Sequence, residues 1–187
     1  MFDTPEQPYV WIVTAAVLAT AVLGIASYVL YRVFSKRWIR ISIMHLIGYR
    51  ERITASRKTL EAVVGHLVNG NESTILSFAS DPSDDNRRAL SETGQRMLIT
   101  RDELDLRRLH PRTHQAAEEL ADAAHLIAIY ALPYEADLSA GENLDALSSM
   151  NLKAVTEQFQ IADTLLAELC IAYDVEESVV YGGGLYI

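Results

Sequence analysis

Two histidines and a glutamate in this chain have a spacing that permits metal binding. His110, His114 and Glu118 are four residues apart, so on one helix they would stack on the same face and offer ligands to a divalent cation. His110 precedes a proline, however, and a proline pushes the residue before it out of helical geometry. We therefore expect no metal at this position.

A second candidate is the pair Asp122 and His125, three residues apart. Four-helix proteins that bind two metals use a carboxylate-x-x-His pair twice, on two different helices. No second copy occurs here, because Glu61 and His66 are five residues apart. A single half-site does not hold two metals, so we expect none here either.

The cluster Gly182 to Gly184 is the third candidate, since glycine-rich loops bind phosphate where a helix follows them. Only three residues follow these glycines in the sequence. Motifs for a serine nucleophile, a paired-cysteine site or a nucleotide site do not occur. The sequence thus predicts a protein that is not an enzyme, with no metal, no cofactor and no evident small-molecule substrate.

The element that positions the rest of the chain is an apolar segment over residues 9–33. No residue from Val10 to Leu30 is charged, and a hydrocarbon core of ~30 Å requires about 20 such residues in a helix. A cleaved signal peptide is the rival interpretation, but it requires a basic start, a shorter apolar run and a cleavable end. We therefore expect a single transmembrane helix that is retained in the mature protein.

The charges on either side of this segment predict its orientation. Asp3 and Glu6 precede it, and a group of basic residues follows it: Arg32, Lys36, Arg37 and Arg40. The side richer in Lys and Arg stays in the cytoplasm. The sequence therefore predicts a short outward-facing N-terminus at residues 1–8 and a cytoplasmic domain at residues 34–174, at the plasma membrane.

Apolar residues spaced three and four apart predict that this domain is all-α. The predicted helices cover residues 35–69, 83–109, 111–131 and 142–173, with an irregular apolar tail at 175–187. Four such helices with short connections fold most simply as an antiparallel bundle that continues from the transmembrane helix. Residues 72–80 contain a short apolar stretch to which we assign no helix.

Three surfaces are predicted to bind other molecules. Small residues at spacing four on the transmembrane helix permit close packing with another membrane helix; they are Ala16, Thr20 and Gly24. Basic residues from the first helix and from the end of the second are predicted to contact anionic lipid headgroups; they are Arg32, Lys36, Arg37, Arg40, Arg107, Arg108 and Arg112. Apolar residues of the tail are predicted to dock on lipid or on a neighbouring subunit; they are Val179, Val180, Tyr181, Leu185, Tyr186 and Ile187.

Each of these predictions has a simpler alternative. The basic residues could be scattered solvated charges, and the tail could be a frayed terminus. The net charge of −9 is uneven, because thirteen acidic residues and one basic residue, Lys153, follow Arg112. Nucleic acid is excluded as a partner of so acidic a half, since phosphate binding needs clustered Lys and Arg. The single cysteine, Cys170, cannot form an internal disulfide.

These patterns predict a single-pass accessory or scaffold subunit of a larger membrane complex, such as a respiratory or transport assembly. Its expected partners are integral membrane protein subunits and anionic lipid headgroups. The alternative is a membrane-tethered sensor or adaptor, whose acidic third and fourth helices recruit a basic cytosolic protein.

Overall fold

The computed structural model describes residues 7–132 and 139–176, and these residues contain helices and no strand. Six α-helices follow one another along the described part of the chain. They are α1 (Gln7–Val68), α2 (Glu72–Ser80), α3 (Asp85–Glu103), α4 (His114–Ala131), α5 (Ala140–Ser148) and α6 (Leu152–Tyr173), with single 3₁₀ turns at Leu106–Arg108 and Pro111–Thr113 between α3 and α4. The prediction of an all-α chain with a long apolar N-terminal helix is confirmed for these residues.

The chain divides into two compact units between Trp38 and Ile39. In the first unit every residue from Trp11 to Phe34 is exposed, and the most apolar 18-residue window has a mean hydropathy of 2.1 with none of it buried. This part of α1 is long and apolar enough to cross a membrane. A signal sequence has the same composition, as does the core helix of a soluble protein.

In the second unit α1 buries one face. The buried side chains recur every three or four residues and belong to Ile39, Ile43, Leu46, Ile47, Ile53, Leu60, Val63 and Leu67. This is the period of an α-helix that lies on a core. These buried residues have the spacing of three and four from which the sequence predicts that this domain is all-α.

Small residues on α4 allow it to approach its neighbours closely. Its buried face is mostly alanine and packs most closely against α3 and α6. On the α3 side Gly94 lies against Leu132, and a Cβ atom added at Gly94 would be 3.0 Å from both Cγ and the backbone nitrogen of Leu132. An alanine at position 94 would therefore require Leu132 to shift by a few tenths of an ångström.

Polar contacts connect α1 to α3 and to α6. The Tyr49 hydroxyl donates to the carbonyl oxygen of Glu103, 2.9 Å away, at the end of α3. On the other side Arg50 Nη1 lies 3.2 Å from Asp163 Oδ1, and Arg57 stacks on Phe159 with its guanidinium carbon 4.7 Å from the ring centre. These contacts fix which faces of α1 meet α3 and α6.

The two short helices, α2 and α5, pack on each other. The buried Asn143 donates through Nδ2 to the carbonyl oxygen of Ala79, 2.8 Å away. The start of α5 has a capping box, in which Ser139 accepts from the Glu142 backbone N–H and the Glu142 carboxylate accepts from the Ser139 N–H. Hydrogen bonding from Ser139 holds the pKa of Glu142 below its usual value.

The structure corrects several predicted helices, and the helix predicted for 111–131 begins at His114 after a 3₁₀ turn. Residues 72–80 form α2, which begins where the Asn71 side chain accepts from the Thr74 N–H. The helix predicted for 83–109 begins at Asp85 and ends at Glu103, because Asp84 caps its start and a 3₁₀ turn replaces its last residues.

The helix predicted for 142–173 is two helices, α5 and α6. The chain leaves helical geometry before Asn151, whose side chain accepts from the Ala154 N–H and so starts a new helix. Asparagine is unfavourable inside a helix and favourable at its start. Asn151 therefore indicates a helix start within an apolar pattern that by itself predicts one continuous helix.

Candidate interaction surfaces

The small residues predicted to pack against another membrane helix lie on the exposed surface of α1. Ala16, Thr20 and Gly24 are all exposed, and the Thr20 hydroxyl donates to the Ala16 carbonyl oxygen, 2.8 Å away. A Cβ atom added at Gly24 would meet nothing within 4 Å. Among the described residues, a larger side chain at Gly24 would therefore meet no other part of the chain.

The predicted headgroup residues are divided between the two units. In the first unit Arg32, Lys36 and Arg37 are exposed. In the second unit Arg107 is exposed, and its backbone N–H donates to the Asp105 carboxylate. Arg108 pairs with the same carboxylate, with 3.4 Å between Nε and Oδ2, and its side chain remains 87% exposed.

Arg40 and Arg112 meet at the C-terminal end of α6. Arg40 Nε donates to the carbonyl oxygen of Tyr173, 2.9 Å away, and Arg40 Nη2 lies 3.7 Å from Asp174 Oδ2. Arg112 Nη1 donates to the Tyr173 hydroxyl, 2.8 Å away. The structure thus gives two of the predicted headgroup residues protein partners that the sequence did not indicate.

His110 lies at the junction between α1 and the segment that connects α3 to α4. It is only 9% exposed, and its backbone N–H donates to the hydroxyl of the buried Ser42, 2.9 Å away. Its Nδ1 atom accepts from the Arg112 N–H at 3.2 Å and so caps the 3₁₀ turn that follows. Burial, together with the positive charge of Arg112 and the neighbouring His114, lowers the pKa of His110 below its usual value.

The stack that the spacing of His110, His114 and Glu118 would permit does not form, because His110 precedes α4 and caps the turn before it. His114 Nε2 lies 3.3 Å from the carbonyl oxygen of Leu109, and because a carbonyl oxygen only accepts, Nε2 is the donor in this hydrogen bond. Glu118 is exposed. On α4 His125 Nδ1 accepts from Arg101 Nη1, 2.9 Å away. Within the described residues no three His, Cys, Asp or Glu side chains are grouped to hold a metal ion.

Open grooves lie on two sides of α1 among the described residues of the second unit. The larger, of about 520 Å³, lies beside α6 and is lined by Arg50, Glu51, Thr54, Ala55, Lys58, Phe159 and Asp163. The smaller, of about 320 Å³, lies beside α3 and is lined by Arg52, Glu92, Gln95, Arg96, Ile99 and Thr100. Arg50 is paired with Asp163 and Arg52 with Glu103, so their charges already have protein partners.

Acidic residues are exposed on the outer surfaces of α4 and α6. They are Glu118 and Asp122 on α4, and Glu157 and Glu168 on α6. Glu157 pairs with Lys153, 3.5 Å away. The acidic character that the sequence assigned to its third and fourth predicted helices is therefore present on the protein surface.

The residues that join distant segments were not predicted from the sequence. The Ser42 hydroxyl accepts a hydrogen bond from the His110 N–H, and Asn143 donates one to the Ala79 carbonyl oxygen. Gly94 has no side chain, so Leu132 packs directly against it. Polar or glycine residues at core-facing positions are the signal that could have found them. The tail residues predicted to dock, Val179, Val180, Tyr181, Leu185, Tyr186 and Ile187, lie outside the described residues, as do residues 1–6.

Comparison with known proteins returned no matching family model, no matching curated protein and no matching solved structure.

Proposed function

We propose that this chain is a single-pass, non-enzymatic accessory subunit of a larger membrane complex. Its N-terminal helix would anchor it, and a cytoplasmic antiparallel bundle of α1, α3, α4 and α6 would brace or dock the other subunits. The observation that carries the proposal is the exposed apolar surface of α1, where every residue from Trp11 to Phe34 lacks protein cover.

Exposed apolar side chains around a whole helix are costly in water. A contiguous apolar surface much larger than a few hundred Å² is rare on a soluble monomer and marks contact with lipid or with other proteins. Within a bilayer a single helix makes all of its backbone hydrogen bonds within itself, so α1 can cross a membrane without another segment to pair with its backbone. Both a lipid phase and a partner helix are therefore compatible with this surface.

The antiparallel arrangement is supported by pairs of residues that occur in reverse order along the helices. Between α1 and α6, Arg40 contacts Tyr173, Arg50 contacts Asp163 and Arg57 contacts Phe159. Between α3 and α4, Gly94 contacts Leu132 and Arg101 contacts His125. Bundles with short connections produce this pattern.

The cytoplasmic orientation is supported by charge. Arg32, Lys36 and Arg37 follow the apolar segment, whereas Asp3 and Glu6 precede it. The exposed basic side chains near this boundary would also be attracted to an anionic leaflet, by ~1 kcal/mol each. We propose that Arg32, Lys36, Arg37, Arg107 and Arg108 contact headgroups.

A partner helix would pack on the surface of Ala16, Thr20 and Gly24. Membrane helices associate through close packing, for which small residues are needed. The experiment is gentle solubilisation of native membranes and purification through a tag on the full-length chain. We expect stoichiometric integral membrane subunits to be recovered, and their identity to be read by mass spectrometry.

Matched variants make this experiment specific. Gly24→Leu places a large side chain where the chain itself leaves open space, so we expect it to remove the partners. Val22→Leu adds one methylene at another exposed position and should leave recovery unchanged. Recovery of a lone chain from the unaltered protein, or equal recovery with both variants, would contradict the proposed docking.

The exposed acidic residues of α4 and α6 favour a second candidate, a membrane-tethered adaptor that recruits a basic cytosolic protein. Charge complementarity speeds such an encounter, and salt weakens it. Partners of this kind would be sub-stoichiometric and would leave during a high-salt wash. Integral subunits held by packing would stay bound in the same wash.

A further inference from the structure

We propose that the last turn of α6 and the phosphates of anionic lipid headgroups compete for Arg40 and Arg112. In this view an anionic membrane surface withdraws the two arginines from α6 and loosens its C-terminal end. The inference rests on the proposed membrane location of the chain, and it adds a regulated contact to the proposed headgroup surface.

The two arginines hold α6 at the point where its backbone bonding ends. The last carbonyl groups of a helix have no partner within the helix, and Tyr173 supplies one of them. Arg40 donates to that carbonyl oxygen at 2.9 Å, while Arg112 donates to the Tyr173 hydroxyl at 2.8 Å. Asp174 then turns the chain in the left-handed region at φ 53°, and its carboxylate lies 3.7 Å from Arg40.

These contacts are weak enough to be exchanged. The side chains of Arg40 and Asp174 are 52% and 92% exposed, and water screens ion pairs at such sites. A phosphate offers arginine two charged acceptors at once, which a backbone carbonyl and a phenol do not. Near an anionic surface the lipid phosphates and the acceptors at the end of α6 therefore bind the two arginines with comparable strength. A change in lipid charge can then move the arginines from one set of acceptors to the other.

Hydrogen exchange of the full-length chain in lipid nanodiscs tests the competition. One sample contains phosphatidylcholine alone, and the other contains phosphatidylcholine with phosphatidylglycerol. We expect amides in the last turn of α6, residues 170–174, to exchange about fivefold faster with the anionic lipid, which is the change that one basic residue attracted to such a surface produces. Equal exchange in both lipids would overturn the proposal.

Two variants with opposite expected signs separate competition from simple loosening. Tyr173→Phe combined with Asp174→Asn removes the phenolic acceptor of Arg112 and the carboxylate charge beside Arg40, and it keeps both arginines. Native mass spectrometry should therefore find more phosphatidylglycerol retained. Arg40→Gln combined with Arg112→Gln should speed exchange in phosphatidylcholine, retain less anionic lipid and remove the lipid dependence. If the first variant retains no more anionic lipid than the unaltered chain, the arginines are not shared and the proposal is wrong.

Arg88→Gln is the matched control, because Arg88 is an exposed arginine that pairs with Asp85 at the start of α3. It should leave exchange at α6 and lipid retention unchanged. Inorganic phosphate added to phosphatidylcholine nanodiscs distinguishes the source of the anion. If phosphate alone speeds exchange as much as phosphatidylglycerol does, the site binds free anions and the assignment to lipid is overturned.

Failure of this competition is distinguishable from failure of the proposed function. A chain that does not reconstitute into nanodiscs, or that co-purifies with no membrane subunit, contradicts the membrane role. A chain that reconstitutes and keeps its partners, but whose α6 is insensitive to lipid charge, contradicts the competition alone.

Discussion

At the scale of single residues, the same side-chain type has different uses in this protein according to its surroundings. Arg108 extends into solvent beside Asp105, whereas Arg50 is largely buried beside Asp163 with its side chain 15% exposed. Exposed pairs contribute at most ~1 kcal/mol, while a desolvated charge must be paired to be tolerated. The loss of Arg50 should therefore matter more for folding than the loss of Arg108.

The lowered pKa of His110 predicts that the stability of the second unit depends on pH. Its pKa in the folded chain is below the value of 6.5 that an exposed histidine has, so the unfolded chain binds the proton more readily. The stabilisation is present above ~pH 6.5 and is lost as the pH falls through the lower folded pKa. Thermal unfolding of the full-length chain in detergent, followed by circular dichroism at several pH values, should show this decline.

His110→Asn should flatten that dependence, because asparagine does not titrate and is a favourable cap for the turn at Pro111. His66→Asn is the matched control, since His66 is exposed near the end of α1. We expect the thermal stability of the His66→Asn variant to depend on pH as that of the unaltered chain does. An unchanged profile in the His110 variant would show that another group dominates acid destabilisation.

At the scale of elements, two glycines in helices should respond oppositely to the same substitution. At Gly65 an added Cβ meets nothing within 4 Å, so Gly65→Ala should stabilise by up to ~1 kcal/mol through helix propensity. At Gly94 the Cβ would be 3.0 Å from the Leu132 backbone, and overpacking of this kind costs ~1–3 kcal/mol. Gly94→Ala should therefore destabilise after the propensity gain is subtracted.

Urea unfolding of the two glycine variants in the same detergent measures both effects. Opposite shifts of the unfolding midpoint, with equal slopes, are the expected result. A stabilised Gly94 variant would mean that α3 and α4 separate easily, and that the close contact does not constrain the fold.

The contact between α2 and α5 depends on one buried amide. Asn143→Ala removes the donor to the Ala79 carbonyl oxygen and leaves that buried group without its hydrogen bond, at a cost of ~1–3 kcal/mol. Hydrogen exchange should rise in α2 and α5 more than in α4. Asn69→Ala is the control, because Asn69 is exposed and bonds to Gly65 within its own helix turn.

At the scale of the whole molecule, the proposed orientation predicts which residues a reagent outside the cell can reach. The chain has one cysteine, the buried Cys170, so a Cys170→Ser background permits cysteines to be placed singly. Thr164→Cys lies on the exposed surface of α6, and Thr4→Cys lies before the apolar segment. In intact cells a membrane-impermeant maleimide should label position 4 and should label position 164 only after permeabilisation.

The reverse labelling pattern would invert the proposed topology. A mature chain that lacks position 4 altogether would indicate that the apolar segment is a cleaved signal. Either result would remove the basis for the headgroup surface, because Arg32, Lys36 and Arg37 would then face the wrong compartment or be released from the membrane.

The amino-acid sequence by itself determined the helical class and the apolar faces, because both are set by local spacing. An uncharged run from Val10 to Leu30 and the apolar repeat from Ile43 to Leu67 can be identified without knowledge of the partners. Element boundaries were harder to predict, because the Asn151 side chain starts a new helix within an apolar pattern that continues through this position.

Only the tertiary structure decided which residues meet across the fold. The pairing of Arg40 and Arg112 with the end of α6, and of His110 with Ser42, joins residues at least 61 positions apart. Such contacts depend on how helices are packed, and helix packing depends on side-chain volumes such as the alanines of α4 and the absent side chain at Gly94. The apolar pattern of a sequence specifies the face that a helix buries. The residues that contact this face depend on how all the helices pack together.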